Sequence, residues 1–171
     1  MLSSLSIAAQ KRNDTSLGIS LDYGFDAAIN NLAYSFIFNY NLFDQLRISP
    51  TYTNFLRKEN MQMNSLSLNF HYLLKETSFF NELFFKHTKY YPIFGFSIVN
   101  TSGLSSKCTV CTERQLKFRS NSYYNFGFNF GLGGEFKLPD TEKISINFEF
   151  IYSAVENYYR PLMRLGLLYH F

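Results

Sequence analysis

Side chains in this chain alternate between bulky apolar residues and small or polar ones in eight separate segments. The first segment, SLGISLDYGF, sets Leu17, Ile19 and Leu21 against glycine and serine, and the same period of two returns seven more times. A period of two places successive side chains on opposite faces of a β-strand. We therefore predict eight strands, each with one apolar face. They lie at 16–25, 32–42, 46–53, 65–74, 90–99, 124–133, 144–153 and 160–171.

The composition of the two faces decides between a soluble and a membrane barrel. One face is almost purely Leu, Ile, Phe and Tyr, and the other is rich in Gly, Ser and Asn. A soluble sandwich or barrel turns its bulky face toward the core, whereas a membrane barrel turns it toward lipid and fills its narrow interior with small polar residues. Segments of about 9–11 residues also suit a tilted membrane-crossing strand. The sequence predicts an all-β fold, an eight-stranded antiparallel up-and-down transmembrane β-barrel in the bacterial outer membrane.

Tyrosine is sorted by depth along the predicted strands. If the first strand runs outward, one set of tyrosines falls at the outer rim: Tyr23, Tyr34, Tyr52, Tyr124 and Tyr152. A second set falls at the inner rim: Tyr40, Tyr72, Tyr90 and Tyr169. Strand centres use Phe, Leu and Ile instead. A phenol prefers the hydrated head groups, so this sorting predicts lipid-facing aromatic girdles, for which a soluble core gives no reason.

Length and charge narrow the other possibilities. The chain has 171 residues, which fits one domain, and a net charge of +3 is too small to predict a nucleic-acid surface. The start, MLSSLSIAAQ, suggests that residues 1–10 are an export-signal remnant or a disordered N-terminus. Residues 11–171 then form the single barrel domain.

The C-terminal stretch GLLYHF resembles the β-signal of bacterial outer-membrane proteins, an alternating strand that ends in phenylalanine. The resemblance assigns the signal to Leu165, Leu167, Tyr169 and Phe171 and implies recognition by the barrel-assembly machinery. More widely, LNFHYLLKE, YYPIFGFSI, FGLGGEFKL and EKISINFEFIYS are similar to the PorT-like outer-membrane β-barrel family of Bacteroidetes. Some members of that family belong to secretion and gliding machinery, so the resemblance implies a protein partner in an envelope complex. Two departures are a short third strand and Pro50, which breaks the ladder unless a bulge accommodates it.

Six ionisable residues are predicted to face the lumen: Asp22, Arg47, His71, Glu135, Glu149 and Arg164. We favour a packed network of ion pairs and hydrogen bonds, because buried charges need partners and eight strands rarely leave an open channel. A small pore or a proton path is the alternative.

The connection at 75–89 is long for an inner turn. Its residues Phe79, Phe80, Leu83 and Phe84 are spaced as on one face of a helix, which predicts either an amphipathic interfacial helix or a simple extension of the flanking strands. In both cases this turn is a candidate surface for docking a partner.

The outer loops are predicted at 26–31, 54–64, 100–122 and 154–160, and the third of these contains Cys108 and Cys111. A local disulfide is favoured in an oxidising exterior, while redox activity or half of a metal site remains open. No cofactor is predicted. The loop is basic, through Lys107, Arg114, Lys117 and Arg119, which suits anionic lipopolysaccharide alongside the membrane lipids.

An enzyme is less favoured. Small outer-membrane barrels that modify lipids use histidine with serine or a carboxylate near the outer rim, whereas His71, His87 and His170 are all predicted near the inner end. The sequence predicts a non-enzymatic barrel that serves as a scaffold or subunit of an envelope complex, such as secretion or envelope-assembly machinery. A small pore or ligand-binding barrel, and a soluble barrel with its bulky face inward, are the alternatives.

Overall fold

Eight antiparallel strands form a closed barrel in the computed structural model of this chain. The structure describes residues 14–25, 31–57, 61–74, 88–104, 120–138, 141, 143–155 and 158–171. The strands are β1 (Thr15–Gly24), β2 (Asn31–Phe43), β3 (Leu46–Phe55), β4 (Met61–Tyr72), β5 (Thr88–Leu104), β6 (Ser120–Lys137), β7 (Ile144–Val155) and β8 (Tyr158–His170). Each strand pairs with its neighbours in sequence, and β1 pairs with β8. The predicted eight-stranded up-and-down barrel is confirmed. The predicted N-terminal segment 1–10 lies outside the described residues.

The C-terminal strand closes the sheet. In its ladder with β1, Ser16 lies opposite His170 and Asp22 lies opposite Arg164. Beyond the last pair, the backbone N–H of Phe171 donates to the carbonyl oxygen of Thr15 at 3.1 Å. Because β1 and β8 are paired along this length, neither presents an open edge to lipid there.

The bulky apolar row of each strand faces outward and the small polar row faces inward, which is the reverse of the arrangement in a soluble protein. The bulky row is exposed, as at Leu21 and Leu132, which expose 70% and 68% of their surface, whereas Ser35 and Asn129 on the other row are buried. Such an apolar outer surface is far larger than soluble proteins tolerate, and a bilayer is the solvent that suits it. The lipid-facing assignment of the bulky row is therefore confirmed, and the soluble barrel is wrong.

The tyrosines of both predicted girdles project from the outer surface, half-buried or exposed. At the outer rim, Tyr152 stacks on Tyr159 with ring centroids 5.8 Å apart, so Tyr159 joins that girdle. Tyr124 lies farther out, since it comes three residues before Gly127, where the pairing of β6 with β7 begins. It therefore lies on the part of β6 that extends beyond the end of β7, rather than on the rim.

The third strand and Pro50 differ from expectation. β3 has 10 residues, as many as β1, so the prediction of a short strand is wrong. Pro50 lies opposite Leu68 of β4 and stays within the strand. The register with β2 is the same on both sides of it, and the irregularity in that ladder falls between Asn41 and Phe43. No bulge at Pro50 is needed, because the ring sits where the ladder with β2 has no pair.

Strands β5 and β6 are much longer than predicted. They have 17 and 18 residues, against 10 to 13 in the other strands. Residues 100–104 and 120–122, predicted as loop, are paired strand, and so are residues 88 and 89 from the predicted turn. The two strands therefore project as a hairpin beyond the ends of β7 and β8, whose ladder begins at Val155 and Tyr158.

The outer end of the lumen is filled by apolar side chains, contrary to the prediction that small polar residues fill the interior. The buried residues of this cap, named the outer apolar cap here, are Ala33, Phe55, Met63, Val99, Val155 and Leu162. The guanidinium of Arg160 lies 4.3 Å from the centroid of the Phe55 ring and donates to the sulfur of Met63 at 2.6 Å. Apolar packing is possible at this end because the large side chains come from strand termini and meet across a narrow barrel.

Candidate functional site: the luminal polar network

Arg164 is the centre of the network in the middle of the lumen. From β8 it reaches both neighbouring strands: its Nη2 lies 3.0 Å from Oδ2 of Asp22 on β1, and its Nη1 lies 2.9 Å from Oε2 of Glu149 on β7. Its Nε donates to both carboxylate oxygens of Asp22, at 3.1 and 3.2 Å. A planar guanidinium with several donors is suited to joining two carboxylates in this way.

Hydroxyl groups complete the environment of Asp22. Ser20 and Ser35 donate to its two oxygens at 2.7 and 2.6 Å, and Ser35 lies 2.7 Å from the hydroxyl of Thr53. Because Asp22 is fully buried, these bonds replace the water that its carboxylate gives up. Four strands, β1, β2, β3 and β8, are thereby joined through one carboxylate.

Glu149 continues the network toward β4 and β5. The hydroxyl of Tyr91 donates to Oε1 of Glu149 at 3.0 Å. The ring of His71 stacks on that of Tyr91 with centroids 4.5 Å apart, and His71 Nε2 lies 4.0 Å from Oε1 of Glu149. The stack places an imidazole, a phenol and a carboxylate from three different strands together in the interior.

A second ion pair lies at the inner end of the lumen. Nη1 of Arg47 is 2.7 Å from Oε2 of Glu135, and both side chains are completely buried. His170 Nε2 lies 3.3 Å from the other oxygen of Glu135 and 2.8 Å from the hydroxyl of Ser145. The guanidinium of Arg47 lies 5.8 Å from the centroid of the Tyr91 ring, so the two halves of the network meet at Tyr91.

A neutral cluster lies beside the charged groups. Asn129 donates to the side-chain oxygen of Asn69 at 2.9 Å and accepts from Ser153 and Ser97 at 2.7 and 3.3 Å. These four side chains tie β4, β5, β6 and β7 together by hydrogen bonds alone. Below the outer apolar cap, the lumen is thus filled by charged and neutral polar groups together with buried apolar side chains such as Ile93 and Leu168.

All six predicted luminal residues are buried inside the barrel. The structure brings Asp22, Glu149 and Arg164 into one cluster and Arg47 and Glu135 into another, with His71 beside the first. Sequence reasoning missed three members or neighbours of the network: Tyr91, Arg160 and His170. Each lies at a luminal position of its strand, so the alternation with a period of two was a signal that could have placed all three in the lumen.

The other predicted sites divide into two groups. Leu165, Leu167, Tyr169 and Phe171 lie on the outer face of β8 or at its end, exposed as an alternating strand requires. The cysteine pair, Cys108 and Cys111, and the basic residues around it lie outside the described residues. So do all four residues of the candidate docking turn: Phe79, Phe80, Leu83 and Phe84.

The buried charges of the lumen balance one another. Among the described residues the buried arginines are Arg47, Arg160 and Arg164, and the buried acids are Asp22, Glu135 and Glu149, so these positive and negative charges are equal in number. His71, the buried histidine beside an acid, exposes only 1% of its surface, which leaves a substrate no access to it. Across the described ranges, no group of three or more His, Cys, Asp and Glu residues is arranged to hold a metal ion, and no helix has the length and hydropathy to cross a membrane.

Several solved structures share this architecture. The N-terminal β-barrel domain of OprF from Pseudomonas aeruginosa superposes with a TM-score of 0.71 at 15% identity, covering 95% of this chain and all of that domain. By fold, the chain is an eight-stranded outer-membrane β-barrel. Neisserial surface protein A superposes with a TM-score of 0.64 at 12% identity, and the match covers 92% of this chain and 96% of that protein. A major outer membrane protein from Thermus thermophilus superposes with a TM-score of 0.62 at 13% identity, and the match covers 94% of this chain and all of that protein.

The similarity is one of fold alone. No protein-family model matches the sequence, and no curated protein matches it significantly. At identities of 12–15%, these structures support the membrane-barrel architecture and carry over no residue of the site.

Proposed function

We propose that this protein is a non-enzymatic outer-membrane barrel that serves as a scaffold or subunit of an envelope complex and docks a partner polypeptide on the projecting part of β6. The observation that carries the proposal is the difference between the two ladders of β6. Its pairing with β5 continues outward to Ser120, whereas its pairing with β7 ends at Gly127. Residues 124–126, named the projecting edge here, are thus paired with one described strand only.

An edge of this kind has a defined chemistry. Backbone N–H and C=O groups at the margin of a sheet pair with a further strand, and peptide recognition by strand addition uses such edges. Tyr124 and Phe126, which expose 69% and 65% of their surface on this edge, supply apolar contacts for the side chains of an added strand. The occupant that fits is an extended segment of a partner protein.

A second copy in the same membrane does not fit. Two copies related by a two-fold axis along the membrane normal would both direct β6 from the outer side to the inner side. Their edges could not form an antiparallel ladder, which is the pairing that β6 makes with both of its neighbours in this barrel. The partner strand therefore comes from a different polypeptide.

The filled lumen supports a scaffold over the alternative of a pore. The outer apolar cap fills one end, and the ion pairs around Arg47 and Arg164 lie below it among neutral polar and apolar side chains. The burial of His71 likewise argues against the lipid-modifying enzyme, because neither lipid nor water reaches the imidazole. Lipids and lipopolysaccharide remain the proposed surroundings of the outer surface.

The docking proposal is tested by site-specific photo-crosslinking in intact cells. A photoreactive phenylalanine analogue at position 124 should capture one partner, and the same group at position 159 should not. Tyr159 is the matched control because it is an equally exposed tyrosine, at 67%, on the rim near β7. Tyr124→Lys should abolish copurification of that partner, since a lysine discourages strand addition. Equal capture at both positions would contradict docking on the projecting edge.

The C-terminal strand is proposed to engage the barrel-assembly machinery. Deleting Phe171 should sharply reduce the amount of folded protein in the outer membrane, measured by heat-modifiable mobility on gels. The matched control is Phe43→Ala, because Phe43 is another exposed aromatic residue at the inner end of a strand and is not C-terminal. If the deletion and the control assemble equally well, the terminal phenylalanine is not part of a signal.

A further inference from the structure

The ladder between β2 and β3 is interrupted at the level of Pro50. Its register places Ile37 opposite Thr51 and Tyr40 opposite Ile48, and the two pairs between them are absent. Pro50 lies near the middle of β3, so the interruption falls within the membrane-spanning part of the barrel. Proline has no backbone N–H to give to a neighbouring strand, which accounts for the missing bond.

The interruption leaves the carbonyl oxygen of Phe38 without its ladder donor. At the outer end of the same ladder, the N–H of Leu56 donates to the carbonyl oxygen of Leu32. Hydrogen-bonded pairs recur at every second residue of an antiparallel ladder, and Phe38 and Pro50 form such a pair, an even number of residues from the first. An N–H at position 50 would therefore bond to the oxygen of Phe38. Because an unpaired carbonyl is costly at bilayer depth, that oxygen requires another donor.

Two buried side-chain oxygens flank this gap on the luminal face. They belong to Asn39 and Thr51, which follow Phe38 and Pro50 in sequence. Asn39 donates from its Nδ2 to the hydroxyl of Ser16 at 3.2 Å, whereas its Oδ1 has no hydrogen-bond partner among the described residues. The same is true of Oγ1 of Thr51. Three oxygens with unmet hydrogen-bonding capacity therefore adjoin one interruption of the sheet.

We propose that this gap is a binding site for one ordered water, which donates to the carbonyl oxygen of Phe38 and to Oδ1 of Asn39 and accepts from the hydroxyl of Thr51. Asn39 and Thr51 are diagonal neighbours on adjacent strands, about 7–8 Å apart, and a bridging water spans such a separation. Three hydrogen bonds are usual for a buried water. A cation fits less well, because three neutral oxygens do not offset its charge in the interior. The site is independent of docking at the projecting edge.

A high-resolution crystal structure of the full chain tests the site directly. Density for a water should lie within hydrogen-bonding distance of the three oxygens in the wild type. It should be absent from Pro50→Ala, whose new N–H reaches Phe38 and closes the ladder. A wild-type structure that shows other buried waters and none in this gap would overturn the proposal. Density that strengthens when sodium in the crystal is exchanged for rubidium would also overturn it, since the gap would then hold a cation.

Urea unfolding in lipid vesicles supplies a second test. Thr51→Val removes the hydroxyl with little change of shape and should lower the urea midpoint, because the water loses a partner. In a dry gap the same substitution would raise the midpoint, since it would remove an unsatisfied hydroxyl. Thr53→Val is the matched control on the same strand. Its hydroxyl lies 2.7 Å from that of Ser35, so its loss should lower the midpoint in either case.

The Pro50→Ala background distinguishes the water from ordinary packing. Because the restored ladder bond replaces the water there, Thr51→Val should no longer lower the midpoint in that background. Thr53→Val should lower it as much as in the wild type. An equal loss from Thr51→Val in both backgrounds, or a raised midpoint in the wild-type background, would overturn the proposal.

Discussion

Replacing Arg164 by methionine is expected to lower the free energy of unfolding of the barrel by about 3–5 kcal/mol. The guanidinium is buried between Asp22 and Glu149 and makes close contacts with both carboxylates. Methionine has a similar length and no charge, so the substitution leaves two buried acids facing each other without a cation. Removing one partner of a buried ionic cluster costs far more than removing the whole cluster.

That asymmetry supplies the control. Adding Asp22→Asn and Glu149→Gln to Arg164→Met removes the unpaired charges and should recover most of the lost stability. Both single substitutions in the wild-type background should destabilise the barrel, because each disturbs a satisfied pair. Reversible urea unfolding in lipid vesicles measures all four variants. A loss below about 1 kcal/mol for Arg164→Met, the range of an exposed ion pair, would contradict the assigned network.

The faces of the strands could be predicted because membrane strands repeat every two residues. Once the bulky row was assigned to lipid, the luminal row followed by parity, and with it all six ionisable residues. Tyr91 and His170 have the same parity as their luminal neighbours Ile93 and Leu168. They were missed because Tyr91 stands in a run of tyrosines, and because His170 was assigned to the inner end of its strand rather than to the network.

Which luminal groups meet could not be predicted, because contacts across the barrel depend on the register of every ladder between them. Glu149 and Tyr91 are hydrogen-bonded across the lumen although they are 58 residues apart and their strands are not neighbours. Arg47 and Glu135 lie 88 residues apart on β3 and β6. Alternation within one strand contains no information about such distances.

Strand ends were the least predictable feature. Phe55, Met63 and Val155 lie just outside the predicted segments, so the outer apolar cap that they help to form was missed. The polar run from Asn100 to Ser102 was assigned to a loop, yet it pairs with Tyr124, Tyr123 and Ser122 of β6. Outside the membrane a hairpin needs no apolar row, because water solvates both of its faces, and the alternating signal disappears while the strand continues.

A charge on the lipid-facing row tests the membrane placement of the barrel. Leu165 lies near the middle of β8, opposite Leu21 of β1 and Phe148 of β7, and more than half of its surface is exposed. Leu165→Arg is expected to destabilise the folded barrel in a bilayer by about 2–4 kcal/mol, the cost of an arginine on the lipid face of a membrane barrel near the bilayer midplane. The side chain has no luminal partner within reach, because it projects away from the network around Arg164.

The same substitution at the rim distinguishes the effect of depth in the bilayer from a general disruption of β8. Tyr159→Arg places an identical charge on the same row of β8, beside Tyr152 of the outer girdle, where the cost should fall to about 0–1 kcal/mol because the guanidinium reaches the head groups. Leu165→Met preserves apolarity and should be nearly neutral. Urea unfolding in vesicles compares the three variants. Equal losses at positions 165 and 159 would contradict the bilayer depth that the girdles assign to β8.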